Sequence, residues 1–151
     1  PAPQRRAAFL ELQLNTDIGG VTWTGRADRI DVSPKGLTVV DYKTSKSPAT
    51  GAEAAESLQL GFYALAAQRN PEVSAHGDVI GAEFWYPMAK GNKAVTRDFE
   101  MDRLEEIETR LTAIARGIQA ENWQPTPGSH CDKCGLRPLC PAWAEGGADF
   151  E

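Results

Sequence analysis

Asp28, Asp41 and Lys43 lie within one stretch, TGRADRIDVSPKGLTVVDYKTSK, running from Thr24 to Lys46. Two carboxylates brought together repel each other and need an offsetting charge. A hard divalent cation such as Mg²⁺ would supply it, because such ions take carboxylate oxygens. A structural ion network with Arg26, Arg29 or Lys43 would supply it equally well, and spacing alone fits both readings. A lysine beside such a pair can stabilise charge that develops on a reacting group.

The stretch reads as a hairpin. Residues 22–32 and 36–42 are rich in β-branched and aromatic types, which favour strands. Ser33-Pro34-Lys35-Gly36 between them suits a type I turn. With Pro34 and Lys35 as the loop, Val32 faces Leu37, Ile30 faces Val39 and Asp28 faces Asp41. Facing Cβ atoms sit about 4.5–5.5 Å apart, and Lys43 falls on the face of Asp41. A bulge at Gly36 would change that register. Tyr42 points to the other face, where its side chain is expected to pack in the core.

The rest of the chain must position this hairpin. Residues 9–14 alternate weakly and read as a first strand. Thr50-Gly51-Ala52-Glu53 fits a capping box and opens a helix expected to run to about Gln68. Leu58, Phe62 and Leu65 mark its apolar stripe, with Gln59 and Tyr63 one turn apart beside it. Residues 79–86 (VIGAEFWY) read as a strong strand and 94–99 as an edge strand. Asp102-Arg103-Leu104-Glu105 opens a second helix with Leu104, Ile107, Leu111, Ile114 and Ile118 as its stripe. The order is β-β-β-α-β-β-α, followed from Asn122 by an irregular segment that holds all three cysteines.

Composition is that of a globular chain, with 41% apolar and 25% charged residues. No apolar run is long enough to span a membrane, and the first residues lack a signal-peptide core, which points to a cytoplasmic location. The chain starts without Met, which suggests a fragment or a processed product. Net charge is −5, so overall charge does not advertise nucleic-acid binding. The first fifty residues nevertheless carry seven Lys/Arg against five acids, much of it around the acid pair. Cys131-x2-Cys134-x5-Cys140 can share one ion or cluster, with His130 as an adjacent nitrogen donor. The alternative is a disulfide plus a free thiol, which fits poorly with the absence of a secretory signal.

Four motifs now stand in order: Gly25-Arg26-Ala27-Asp28-Arg29-Ile30-Asp31, Asp41-Tyr42-Lys43-Thr44, Gln59-x3-Tyr63 and the cysteine tail. Over residues 9–143 they resemble the RecB-like branch of the PD-(D/E)xK nucleases. That branch includes the nuclease domains of RecB- and AddB-type helicase–nucleases and CRISPR-associated nucleases of related fold. The resemblance implies an α/β (α+β) restriction-endonuclease-like core, a central mixed sheet flanked by helices, with a Cys-rich C-terminal tail. Residues 1–121 would form the nuclease core and 122–151 the tail, packing on the same domain.

The resemblance also implies roles. Asp28 and Asp41 match the metal-binding acids, joined by the Tyr42 backbone carbonyl, and Lys43 matches the catalytic lysine. Gln59 and Tyr63 match a motif beside the active site. Cys131, Cys134 and Cys140 match the last three ligands of an iron–sulfur cluster. Arg26, Arg29 and Lys46 are candidate phosphate contacts. The implied cofactors are Mg²⁺ or Mn²⁺, with a 4Fe–4S cluster in the complete protein and zinc or no metal at the cysteines of this chain. The implied partners are DNA and a helicase domain or subunit, without a membrane, and the implied activity is a deoxyribonuclease, exonuclease in preference to endonuclease. The family's upstream histidine ligand and first cluster cysteine have no counterpart before the first strand, so the chain reads as the C-terminal part of a larger protein. Two other readings compete: a catalytically incomplete nuclease-like module that binds DNA or protein, and a small zinc-binding interaction domain whose acid pair is structural.

Overall fold

Among the described residues five strands build one sheet in the order β1-β2-β3-β4-β5. They are β1 (Arg6–Ile18), β2 (Val21–Ser33), β3 (Gly36–Tyr42), β4 (Val79–Tyr86) and β5 (Val95–Asp98). All neighbours are antiparallel except β3 and β4, which run parallel. The computed structural model describes residues 5–91 and 93–143. The ends assigned from sequence to the core and to the tail, residues 1–4 and 144–151, lie outside the described residues, as does Asn92. The chain divides into two compact units, residues 1–116 and 117–151.

In the first unit, β1 and β2 form a hairpin longer than the sequence pattern suggests. Gly19 and Gly20 make its turn, with φ of 64° and 77°, the conformation a two-residue hairpin requires and glycine adopts without strain. The β2–β3 hairpin has the expected register. Ser33 pairs with Gly36, Val32 with Leu37 and Ile30 with Val39. Ser33 Oγ accepts from the Lys35 N–H and donates to the Gly36 carbonyl, which fixes the turn.

Among the described residues four helices follow: α1 (Gly51–Ala55), α2 (Leu58–Arg69), α3 (Pro71–Ser74) and α4 (Leu104–Gln119). The single helix expected from Thr50 to about Gln68 is broken into α1 and α2. Thr50 and Glu53 do form both halves of the capping box at α1. The helix stops at Glu56, and Ser57 starts a new one by accepting from the Leu60 N–H. A serine hydroxyl offers the backbone an alternative to the helical bond, which favours such restarts. Helix α2 is buried from Leu60 through Ala67 except at Tyr63. One side faces the sheet, and Gly61 on the other admits Ile107 of α4: a Cβ there would stand 2.6 Å from Ile107 Cγ2.

The stripe of α4 is narrower than its sequence suggests. Ile107, Leu111 and Ala115, four apart, are buried, whereas Ile114 is 40% exposed. The core of the first unit joins Leu14, Ile18 and Ile30 of the first hairpin to Leu37, Val39, Leu60 and Ile107. A mixed sheet with helices packed on it is the restriction-endonuclease-like α/β arrangement expected from the sequence. In the second unit, the described residues include two short 3-10 turns, Ser129–Lys133 and Arg137–Leu139.

Candidate active site

The antiparallel ladder between β2 and β3 ends at Arg29↔Val40, one step before the expected Asp28↔Asp41 pair. Beyond it β3 continues on its other edge, where Asp41 pairs with Phe84 and Tyr42 with Trp85 of β4. The place of the missing rung is taken by the Asp28 side chain, whose Oδ2 accepts the Tyr42 N–H at 2.7 Å. The two strands therefore part where the acids sit, and the carboxylates occupy the opening.

Asp41 is buried, and Gln59 of α2 reaches down to it. Gln59 Nε2 donates to Asp41 Oδ1 at 3.0 Å, and Gln59 Oε1 accepts from Lys43 Nζ at 2.7 Å. Lys43 Nζ stands 2.8 Å from Asp41 Oδ2, yet that buried oxygen has no aligned hydrogen bond. One amide thus holds an acid and a lysine in a closed ring of contacts. Lys43 is fixed further by its backbone N–H, which donates to the Trp85 carbonyl at 2.8 Å, and by the Phe84 ring, 4.7 Å from Nζ. Burial pushes the Asp41 pKa up; Lys43 opposes this, and the charge of Asp28 adds to it.

Burial raises the energy of the charged form because the interior solvates it poorly. A buried carboxylate oxygen without a hydrogen bond, with a second carboxylate close by, is an environment that a hard cation relieves. Mg²⁺ is commonly held by one or two protein carboxylates, with water and substrate phosphate completing the shell. Asp28 and Asp41 fit that pattern. Among the described residues no group of three or more His, Cys, Asp or Glu is arranged to hold a metal, and those that meet here are the two acids.

The other sequence candidates are placed as follows. Tyr42 is exposed rather than packed in the core, because it is the last residue of β3, where the strand runs out into the loop that follows. Its ring meets Trp85 edge-on at 5.7 Å, and its hydroxyl accepts from Arg29 at 3.4 Å. Tyr63 lies one turn beyond Gln59 with its ring against Gly25, where a Cβ would come within 2.8 Å of it. Arg29 is committed to Asp31 at 2.6 Å and to the Trp85 face at 5.2 Å. Arg26 pairs with Glu11 across the first hairpin at 3.1 Å, and Lys46 is exposed in the loop after β3. Cys131, Cys134 and Cys140 are free thiols in the second unit, around the two 3-10 turns, and the Gly128 N–H points to Cys131 Sγ at 3.4 Å.

Phe84 escaped the sequence reading. Its role follows from the parallel pairing of β3 with β4, which strand patterns do not specify. Glu11 also went unnoticed. It has a left-handed φ of 51°, rare for a non-glycine residue, and its partner Arg26 stands two residues before Asp28.

A family model described as the PD-(D/E)XK nuclease superfamily matches residues 2–141. No curated protein matches the chain. Among solved structures, the crystal structure of SSO0001 superposes with a TM-score of 0.53 at 19% identity, covering 89% of this chain and 60% of that one. At this identity the likeness is one of fold, and the chain spans 60% of that protein's length.

Proposed function

Since the chain belongs to the PD-(D/E)XK nuclease superfamily, we propose that it is a metal-dependent deoxyribonuclease domain whose working residues are Asp28, Asp41, Lys43 and Gln59. The observation that carries this reading is the ring of contacts among Asp41, Gln59 and Lys43 beside a second carboxylate. Residues 1–121 carry the chemistry in this reading, and 122–151 form the cysteine-bearing tail.

Asp28, Asp41 and the Tyr42 carbonyl would hold Mg²⁺ or Mn²⁺. When bound, such an ion supplies Lewis-acid chemistry at the phosphate and lowers the pKa of water. The protein's own residues do the rest. Lys43 brings a positive charge to the place where negative charge gathers on a phosphodiester under attack. A charge already fixed in place costs no reorganisation during reaction. Gln59 fixes it, since the amide that accepts from Lys43 also donates to Asp41 and sets the two at constant separation. Phe84 and the Trp85 carbonyl close the remaining freedom of the lysine. Asp28 stays aimed at the opening because the Tyr42 N–H holds one of its oxygens. Tyr63 supports the site through packing on Gly25, and Lys46 is the candidate phosphate contact that is exposed in the loop after β3. Arg26 and Arg29 would have to leave Glu11 and Asp31 to serve that role.

The finer reading is an exonuclease of the RecB/AddB type, acting on DNA beside a helicase domain or subunit as the C-terminal part of a longer protein. It rests on the order of the four motifs. The three cysteines supply three of the four thiolates of a 4Fe–4S cluster, so this chain alone does not make a complete set. A cluster belongs to the longer protein, with zinc the alternative through His130. Iron and zinc analysis of the purified full-length protein tests this, and finding neither metal removes the clamp.

The nuclease reading is tested by incubating labelled single- and double-stranded DNA with the protein in Mg²⁺ and in EDTA. Cleavage in Mg²⁺ alone is expected. DNA binding without cleavage under either condition would favour the competing reading, a nuclease-like binding module.

A further inference from the structure

Tyr42 enters the site through its backbone, and a backbone carbonyl has no side-chain torsions to aim it. Its direction depends on what holds the peptide. The Lys43 N–H donates to the Trp85 carbonyl of β4 at 2.8 Å, and the Tyr42–Lys43 peptide is trans. A trans peptide sets its C=O opposite its N–H, so the Tyr42 carbonyl points away from β4. It points to the β2 side of β3, into the opening where Asp28 and Asp41 sit. The Tyr42 N–H lies on that side too, held by Asp28 Oδ2 at 2.7 Å.

Strand β3 ends at Tyr42, so the ladder holds nothing beyond this residue. Its side chain is held instead on the sheet face opposite Asp41. Arg29 pairs with Val40 and Tyr42 with Trp85, and residues two apart on a strand face the same way, so Arg29, Tyr42 and Trp85 share that face. The Tyr42 ring meets Trp85 edge-on at 5.7 Å, and its hydroxyl accepts from Arg29 Nη1 at 3.4 Å. The Arg29 guanidinium also lies 5.2 Å from the Trp85 ring centre. Both neighbours are anchored. Trp85 is paired with Tyr42 of β3 on one side and Thr96 of β5 on the other. Arg29 Nε donates to Asp31 Oδ1 at 2.6 Å, and Asp31 is 1% exposed. Removing one partner of such a pair leaves a buried charge uncompensated, which is costly.

Tyr42 itself is 41% exposed, so its ring adds little to the core, yet an anchored cation and an anchored indole converge on it. What they fix is the orientation of a residue whose peptide opens on the acid pair. We propose that Asp31, Arg29, Trp85 and the Tyr42 ring form a reverse-face clamp that aims the Tyr42 carbonyl at the ion Asp28 and Asp41 would hold. These are positioning residues, acting through the Tyr42 peptide. The proposal rests on the metal-dependent reading above and deepens it, since it gives Arg29 a task other than phosphate contact.

Substituting Tyr42 leaves its carbonyl in place and removes only what aims it. Tyr42→Ala takes away the ring and Tyr42→Phe the hydroxyl alone. Arg29→Lys keeps a cation for Asp31 and loses the planar contact with Trp85. Mn²⁺ binding to the protein is read from the paramagnetic resonance signal of the free ion, with Asp41→Ala setting the background from other sites. Melting curves without metal report the fold. Tyr42→Ala and Arg29→Lys are expected to fold and to bind Mn²⁺ about tenfold more weakly than wild type, as when groups that orient metal ligands are removed, with Tyr42→Phe between. Wild-type affinity in either of the two that folds would overturn the clamp and leave the metal site standing. Loss of the fold in both would make the cluster a support of the sheet and overturn the clamp equally. Wild-type binding no greater than that of Asp41→Ala would remove the metal reading itself, and the clamp with it.

Discussion

Asp41 is unusual among the residues of the site because its charge is costly in the fold. Burial raises its pKa above the ordinary aspartate value of 3.8. The folded chain then binds this proton more tightly than the unfolded chain does. Stability consequently falls as pH rises from 3.8 towards the folded pKa, and the full cost is present above it. Asn has no such charge. Asp41→Asn is expected to melt higher than wild type at pH 7 without metal, with the two curves converging below pH 3.8; an equal or lower melting point at pH 7 contradicts the burial argument. Gln59→Ala tests the ring of contacts. Lys43 loses its amide acceptor and Asp41 a donor, and a loss of about 10–100-fold in activity is expected, as for other residues that orient a metal site. That loss should fall on kcat, because Gln59 positions the reacting groups, and a change confined to KM would assign it to substrate binding. The types of these residues were legible in the sequence. Their contacts were not, since the Asp28↔Asp41 rung inferred from register gives way to a bond from the Tyr42 N–H to Asp28.

At the scale of elements, the β2–β3 hairpin could be read almost rung by rung. Pro34 and Lys35 define its loop, and period-two pairing carries the register as far as Arg29↔Val40. What lay beyond depended on β4, a parallel partner some forty residues away along the chain, and local pattern carries no such information. The broken helix was misread for a local reason. Ser57 is neutral in a helical stripe, yet its hydroxyl caps α2. The break matters because it lets α2 start afresh with Gln59 on its first turn, over Asp41. The seating of α2 against α4 depends on Gly61, where a Cβ would stand 2.6 Å from Ile107 Cγ2 and 3.1 Å from its Cβ. Ile107 cannot yield through a side-chain tip alone. Gly61→Ala is expected to lower stability by about 1–3 kcal/mol, the usual cost of overpacking, measured by urea denaturation; unchanged stability would show that the two helices can separate freely.

For the whole molecule, family and fold were legible because four motifs stood in order along the chain, while the meaning of the cysteines depended on residues outside them. Metal binding at the acid pair should register in global stability. A ligand that binds only the folded state stabilises it by mass action, about 2.7 kcal/mol at a hundredfold excess over its Kd. Mg²⁺ or Mn²⁺ is thus expected to raise the melting temperature of wild type and not of Asp41→Ala, and no shift in wild type would show that the carboxylates do not form a metal site. The central claim is that Asp41 and Lys43 together hydrolyse a DNA phosphodiester, and the rate of oligonucleotide cleavage in Mg²⁺ tests it most directly. Wild type should cut, and Asp41→Ala and Lys43→Ala, both folded by their melting curves, should not; cleavage by either variant at the wild-type rate would contradict it.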